Sequence, residues 1–150
     1  MAKMDKPIYA LSIKQPWAWL ICKGFKDIEN RDWPIGRNPN YGLHQSQKAN
    51  FRIELPQRIY VHAGLSKSEI TQETIDFIWS IIKVDGIKEY NKSTLDYGAI
   101  IGEVTITGCV TESKSPWFVG KYGFTLIDPI LYNNPIPYRG QLGFFKTDIK

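Results

Sequence analysis

The sequence predicts an α+β fold, built as a small barrel or a strongly curved mixed sheet. Two observations favour this class over a doubly wound α/β fold: strand patterns crowd the C-terminal half, and only two segments have substantial helical character. The chain has 150 residues, 43% of them hydrophobic, which is enough to bury a core without disulfides or metals. We find no internal repeat, low-complexity tract or linker, so residues 1–150 are predicted to form one domain.

The first strand and the first helix are predicted at the N-terminal end of the chain. Residues 7–13 (PIYALSI) are apolar and rich in strand-forming types, which indicates a buried strand. Pro16 suits the start of a helix, and apolar residues then recur at helical spacing until Gly24. Residues 27–32 (DIENRD) alternate in polarity as a short strand does, with Ile28 pointing inward.

The middle of the chain is predicted to contain a long loop, a strand and the second helix. Residues 33–56 are rich in Gly, Pro, Asn and Gln and exceed an ordinary connection, so we expect a functional or mobile loop that could close over a site. Residues 58–63 (RIYVHA) form the next strand. Ser66 and Glu69 have capping-box spacing, and the apolar stripe that follows predicts a helix ending near Lys83.

Three closing strands are predicted in the C-terminal part. Residues 98–110 (GAIIGEVTITGCV) form the longest, in which Gly102 and Gly108 indicate bends or bulges. Residues 122–130 and 140–147 follow as strands, with a proline-rich turn between them over 133–141.

Composition restricts the classes of function. The formal net charge of +4 favours anionic partners only weakly. Cys22 and Cys109 are interpreted as buried, reduced thiols of a cytoplasmic protein, because no signal peptide precedes them. No stretch is apolar enough to cross a membrane, and His44 and His62 lack metal-ligand spacing. We also find no cofactor-binding fingerprint, and therefore expect neither a cofactor nor a metal.

A cluster of charges follows the first helix directly. Glu29 and Arg31 lie two apart on one strand face, and Lys26 precedes them at the helix exit. One interpretation is a solvated ion-pair patch, which contributes under about 1 kcal/mol. The other is a cleft in which a carboxylate, held between two cations, accepts hydrogen bonds from a ligand. The indoles of Trp17 and Trp33 nearby favour the cleft.

A second group of candidate residues lies in the later half of the chain. Residues 115–124 (SPWFVGKYGF) combine aromatic rings with a lysine, so Trp117 and Tyr122 could either be core or stack on nucleic-acid bases. Arg139, in the predicted turn, is a candidate phosphate contact. His62 ends its strand, where a histidine is more often structural than catalytic.

The N-terminal segment also resembles a known family. Gln15-Pro16-Trp17-Ala18, then Gly24-x-Lys26, Glu29-x-Arg31 and Trp33 resemble the signature of the ASCH (activating signal cointegrator 1 homology) family, and the similarity extends over most of the chain. The resemblance implies a PUA-like β-barrel with flanking helices and a cleft beside the Lys26–Arg31 segment. It also implies RNA binding, and it points to two enzymatic branches, N4-acetylcytidine amidohydrolases and ribonucleases.

The amidohydrolase chemistry implied by the resemblance meets one difference in this chain. That branch uses a lysine, a threonine nucleophile and a glutamate. Lys26 matches the lysine, but Glu29 occupies the threonine position. A carboxylate cannot replace the hydroxyl nucleophile, although it could act as a general base for water. Glu103 is a candidate acid/base partner.

Together these features lead to a primary prediction and two alternatives. The chain is predicted to be a binding module for RNA or a modified nucleoside, whose contact residues are Lys14, Gln15, Trp17, Lys26, Glu29, Arg31, Trp33, Trp117, Tyr122 and Arg139. The first alternative is a hydrolase, either an amidohydrolase or a ribonuclease, with Lys26, Glu29 and His62 as catalytic residues. The second is a protein-interaction domain with an exposed apolar patch.

Overall fold

A computed structural model of the protein describes residues 6–35, 53–82 and 95–149. The predicted loop of residues 33–56, and its role as a lid, lies mostly outside the described residues. The elements in chain order are β1 (Tyr9–Ile13), α1 (Trp17–Cys22), β2 (Ile28–Arg31), β3 (Gln57–Ala63), α2 (Gln72–Ile81), β4 (Ala99–Val110), β5 (Tyr122–Pro137) and β6 (Phe144–Lys146).

The described strands form one mixed sheet that curls into a half-barrel. Its six strands run in the order β2-β5-β4-β3-β1-β6. The β1–β3 pair is parallel, and the other four neighbouring pairs are antiparallel. The predicted α+β class with a small, curved mixed sheet is therefore confirmed.

Irregularities in the central strand pair accompany the curl of the sheet. The register between β4 and β5 shifts between Ile100 and Gly102, between Glu103 and Thr105, and between Ile106 and Gly108. Bulges of this kind bend a strand and increase its twist. The bends predicted at Gly102 and Gly108 are thus confirmed.

The concave side of the sheet is closed by contacts between its two edges. The ring of Trp33, just after β2, lies with centroids 5.5 Å from Phe124 and 5.7 Å from Phe144 in β6. Arg31 Nη2 donates a hydrogen bond of 2.8 Å to the carbonyl oxygen of Ser12 in β1. Since three strands separate β2 from β1 in the sheet, these contacts span the open side of the half-barrel.

The start of α2 differs from the prediction. The helix begins at Gln72, and Thr71 is its N-cap, with its hydroxyl accepting the amide N–H of Thr74 at 3.1 Å. The predicted capping box at Ser66 is wrong, because the Ser66 hydroxyl accepts the N–H of Ser68 in a separate turn. Ser66 and Thr71 each have a hydroxyl and are followed three residues later by Glu69 or Thr74. In the structure Ser66 caps a separate turn, and the helix starts only after Thr71.

The predicted proline-rich turn is also wrong, because β5 continues without a break to Pro137. Strand β2 covers only the first part of β5, where Ile28 to Arg31 pair with Thr125 to Tyr122. Beyond Thr125 the outer side of β5 has no described neighbouring strand, and proline is tolerated on such an edge because no ladder donor is required there.

Both cysteines are free thiols, as predicted. Cys22 is buried between α1 and the sheet, and burial raises the pKa of its thiol. Cys109 is half-buried, and the same cause raises its pKa. Neither thiol is therefore poised as a reactive thiolate. Over the described part of the chain, no helix has the length and apolar character needed to span a bilayer.

Candidate functional site

The charged segment and the aromatic residues meet at a cleft of about 710 Å³. It opens at the carboxyl ends of the parallel strands β1 and β3, where Lys14 and Gly64 follow the last strand residues. The end of β2 and the loop before β6 form two further sides. This volume lies within the range of small-molecule binding sites, roughly 300–1,000 Å³.

Lys26, Glu29 and Arg31 form a connected triad in this cleft. Glu29 Oε2 accepts a hydrogen bond of 3.0 Å from Arg31 Nε and lies 2.9 Å from Arg31 Nη2, and Oε1 lies 3.5 Å from Lys26 Nζ. Lys26 Nζ also donates to the carbonyl oxygen of Ile28. The predicted carboxylate between two cations is present, and it is not a solvated surface patch, because Lys26 is 4% and Glu29 6% exposed.

The burial of this triad changes the acid–base behaviour of Lys26. Loss of water around the ammonium lowers the pKa of Lys26 below its ordinary value of 10.5, and the Glu29 carboxylate offsets part of this by charge and hydrogen bonding. Because burial destabilises the charged form of Lys26, its ammonium gives up a proton more readily than the ammonium of a surface lysine does. A negatively charged ligand would stabilise the charged form.

A titration of the lysine side chains tests this environment. In carbon-13 NMR of the lysine Cε atoms, one lysine is expected to titrate below 10.5, and its signal should disappear in Lys26→Met. Glu29→Gln should lower this pKa further, because it removes the charge that favours the ammonium. A midpoint that stays the same or rises in Glu29→Gln would contradict the described geometry. Lys14→Met, which removes an exposed lysine, is the control.

Aromatic side chains form the walls of the cleft. Trp17, Phe77 and Trp117 contact one another edge to face, with ring centroids 6.0–6.5 Å apart. These contacts join α1, α2 and the segment before β5. The Arg31 guanidinium lies 5.8 Å from the ring of Trp33, and Lys26 Nζ lies 5.9 Å from the ring of Trp17. Each cation of the triad therefore has an indole ring next to it.

Among the described lining residues, acidic groups balance the basic ones. Three cations line the cleft, namely Lys14, Lys26 and Arg31, and they are accompanied by four carboxylates, Glu29, Asp32, Glu69 and Glu73. The described part of the cleft therefore lacks the excess of positive charge that binding of a polyanion requires. Its chemistry suits a ligand with mixed donors and acceptors.

Seven of the ten predicted contact residues line the cleft, namely Lys14, Trp17, Lys26, Glu29, Arg31, Trp33 and Trp117. Of these, Trp17 is half-buried and Trp117 is only 3% exposed, so the second acts mainly as support for the first. Lys14 extends along the mouth, where its Nζ donates to Ser68 Oγ at 3.3 Å.

The other predicted residues have different positions. Gln15 is fully buried, and its side-chain oxygen accepts the amide N–H of Trp19, so it stabilises the first turn of α1. Tyr122 pairs with Arg31 in the sheet but does not line the cleft. Arg139 is exposed outside it. His62 is 1% exposed and lies behind the cleft wall, in contact with Ser12.

Glu103, considered as an acid/base partner, belongs to a separate polar cluster. Its Oε1 accepts a hydrogen bond of 2.7 Å from Arg58 Nε, and its Oε2 accepts one from the hydroxyl of Tyr132. Glu103 is not among the residues that line the cleft. It therefore cannot act with Glu29 on one bound ligand without a rearrangement.

The sequence did not single out several residues of the cleft. Glu69, Glu73 and Phe77 approach it from α2 and the turn before it, and Ser12 approaches it from β1. A helical pattern indicates which face is apolar but not which distant strand end the helix reaches. Ser12 had a weak signal, since it alternates with the buried Leu11 and Ile13 and so faces away from them.

The described side chains at the cleft do not make up a metal-binding arrangement. Within residues 6–35, 53–82 and 95–149, histidine, cysteine, aspartate and glutamate side chains do not form a group of three that could hold a metal ion.

In comparisons with known proteins, no family model matches the chain and no curated protein is significantly similar to it.

Proposed function

We propose that the protein is a nucleic-acid-binding module of the ASCH family, with a PUA-like fold, that takes a single nucleobase of RNA or of a nucleoside into the cleft. One observation carries the proposal: the buried Lys26 and Glu29 and the half-buried Arg31 lie within a cleft that is also lined by indole rings. Buried charges are costly, so a protein that keeps a buried lysine and a buried glutamate beside a cleft gains most if a ligand uses them.

The donors and acceptors of the triad match the edge of a nucleobase. Glu29 retains lone pairs that can accept from an exocyclic amine, although both of its oxygens already bind a cation. Arg31 Nη1 makes no hydrogen bond to a described residue and can donate to a ring nitrogen or carbonyl. The half-buried ring of Trp17 supplies a stacking surface, which contributes roughly 1–3 kcal/mol per base.

Because carboxylates balance the cations of the described cleft, we expect contacts to the base, and not contacts to phosphate, to supply most of the affinity. Glu29 pairs with both Lys26 and Arg31, and three further carboxylates line the cleft. The exposed Lys14 can exchange its hydrogen bond to Ser68 for one backbone phosphate of an RNA strand. Recognition by base edges and stacking is how proteins read unpaired RNA. We therefore expect a nucleoside to bind with little dependence on salt.

Calorimetric titration tests the proposal. The ligands are the four common nucleosides, N4-acetylcytidine and a short single-stranded RNA. At least one nucleoside is expected to bind, with similar affinity at low and high salt. For the RNA, one or two phosphate contacts predict a log–log salt slope of about −0.7 to −1.4. Glu29→Gln should abolish binding, while Arg139→Ala serves as the matched control and should bind as the wild type does. Absence of binding by every ligand would overturn the proposal.

A hydrolase of the same superfamily is the second candidate, and the environment of Lys26 favours it. Burial lowers the pKa of Lys26 beside a carboxylate, an arrangement that enzymes use to prepare an acid or a base. Incubation with N4-acetylcytidine and with labelled RNA distinguishes it from the binding module. Turnover that is lost in Glu29→Gln supports the hydrolase, and absence of turnover at high protein concentration removes it.

A further inference from the structure

Ser12 and His62 form a hydrogen-bonded pair at the edge of the cleft. They lie directly opposite each other on the parallel strands β1 and β3, and Ser12 Oγ is 3.0 Å from His62 Nδ1. The other ring nitrogen, Nε2, is 2.7 Å from the carbonyl oxygen of Tyr138. A hydroxyl, an imidazole and an oriented acceptor are thus connected in series.

The partners of His62 determine which of its nitrogens carries the proton. The carbonyl oxygen of Tyr138 can only accept, so Nε2 must be the N–H donor. Burial lowers the pKa of His62 and favours the neutral ring, although the hydrogen bond to Tyr138 partly opposes this. In the neutral ring Nδ1 has a lone pair, and therefore the Ser12 hydroxyl donates to His62 and not the reverse.

The pair packs closely against Gly140. A Cβ atom at Gly140 would lie 2.5 Å from His62 Cε1 and 3.2 Å from Ser12 Oγ, so the imidazole packs tightly against this glycine. Ser12 itself is half-buried and lines the cleft, together with Gly64 and Gln141. The Arg31 guanidinium donates to the Ser12 carbonyl oxygen, which places a cation beside the hydroxyl-bearing residue.

We propose that Ser12 is a nucleophile, that His62 is its general base, and that the cleft hydrolyses carboxylic esters. A hydroxyl bonded to a neutral imidazole, itself oriented by a third group, is the arrangement that defines an activated serine. Here a backbone carbonyl takes the place of the usual carboxylate. Leu65, Phe77 and Leu142 line the cleft as exposed apolar side chains and would contact the acyl or alcohol part of the ester.

The reaction balances with water as the co-reactant. Ser12 Oγ forms a bond to the ester carbonyl carbon as its proton passes to His62 Nδ1. The alcohol then leaves as the ester C–O bond breaks, and it takes the proton from His62. Water next attacks the acyl-serine and gives a proton to His62. His62 returns this proton to Ser12 Oγ as the Ser12–acyl bond breaks, which releases the carboxylic acid and restores the hydroxyl. The Tyr138 carbonyl accepts from Nε2 throughout and stabilises the transient imidazolium.

Two measurements on the full chain test the proposal: covalent labelling of Ser12 and the rate of ester hydrolysis. A fluorophosphonate probe should add one adduct mass to the protein and should modify Ser12 in a peptide digest. p-Nitrophenyl acetate and butyrate should be hydrolysed at least about 100-fold faster by the wild type than by Ser12→Ala, the smallest loss expected on removing an activated nucleophile. Ser113→Ala is the matched control, since Ser113 is exposed, does not line the cleft, and accepts the N–H of Ser115 instead of bonding to a histidine.

Each outcome decides the proposal. An adduct on Ser12, with ester turnover that falls in Ser12→Ala but not in Ser113→Ala, supports it. An unmodified Ser12, or equal turnover by the wild type and Ser12→Ala, overturns it and leaves the pair as a contact between β1, β3 and the segment after β5. His62→Gln, with its fold checked by circular dichroism, should lose labelling of Ser12 as well. The probes contain no nucleobase, so these results are independent of the nucleoside titrations.

Discussion

Replacing Arg31 with alanine is expected to lower the free energy of unfolding by about 3 kcal/mol and to abolish nucleoside binding. Breaking a fully buried ion pair costs about 3–5 kcal/mol. Arg31 is only half-buried and Lys26 remains beside Glu29, which places this change at the lower end. The guanidinium also donates to the Ser12 carbonyl oxygen across the open side of the half-barrel. The substitution therefore removes a ligand contact and a link between β2 and β1 together.

Urea denaturation monitored by tryptophan fluorescence measures this change. Arg139→Ala is the control, because it removes an exposed arginine outside the cleft and should leave the unfolding midpoint in place. Arg31→Lys should fall between the two, since a lysine keeps the charge but cannot reach both Glu29 and the Ser12 carbonyl oxygen through separate nitrogens. A loss in Arg31→Ala no greater than in Arg139→Ala would mean that Arg31 does not hold the strands together.

Gly102→Ala is expected to be the most disruptive single-methyl change, with a loss of about 3 kcal/mol, the upper end of the usual range for overpacking. A Cβ atom at this position would lie 2.1 Å from the carbonyl oxygen of Ile130 and 2.7 Å from Cys22 Sγ. The first neighbour is backbone and cannot rotate away. Either β4 and β5 separate or α1 moves outward, and the second change would shift Trp17 in the cleft.

Thermal unfolding of Gly102→Ala beside Gly64→Ala tests this expectation. At Gly64 the nearest atom to a new Cβ would be Ser12 Oγ at 3.5 Å, an ordinary van der Waals distance, so the methyl group should be accepted. Gly102→Ala should unfold at a clearly lower temperature than the wild type and the control. Equal melting temperatures for the two variants would show that α1 and β5 do not approach β4 as closely as described.

Much of the fold could be predicted because its strands are apolar and its breaks carry glycine or proline. The four-residue strand β2 was predicted from alternation alone, and the same alternation placed Glu29 and Arg31 on one face. Their mutual contact then follows from strand geometry, since residues two apart point the same way. The triad was therefore the part of the cleft that local pattern could predict.

The remaining parts depend on contacts between distant segments. Ser12 and His62 are 50 residues apart, and only the parallel register of β1 and β3 brings them together. Gln15 was predicted as a ligand contact, but its amide instead accepts from Trp19 and donates to the carbonyl oxygen of Asp96. Residue type alone does not distinguish a buried amide that stabilises backbone from one that meets a ligand.

The prolines of β5 affect whether a strand from another copy of this protein can pair with the exposed edge of β5. Over the described residues, β5 extends well beyond its partner β2, and it carries Pro129, Pro135 and Pro137. An incoming strand would find no amide hydrogen at any of these three positions, so it could not complete a regular ladder along that border. The prolines therefore disfavour the addition of a further strand along this edge of β5.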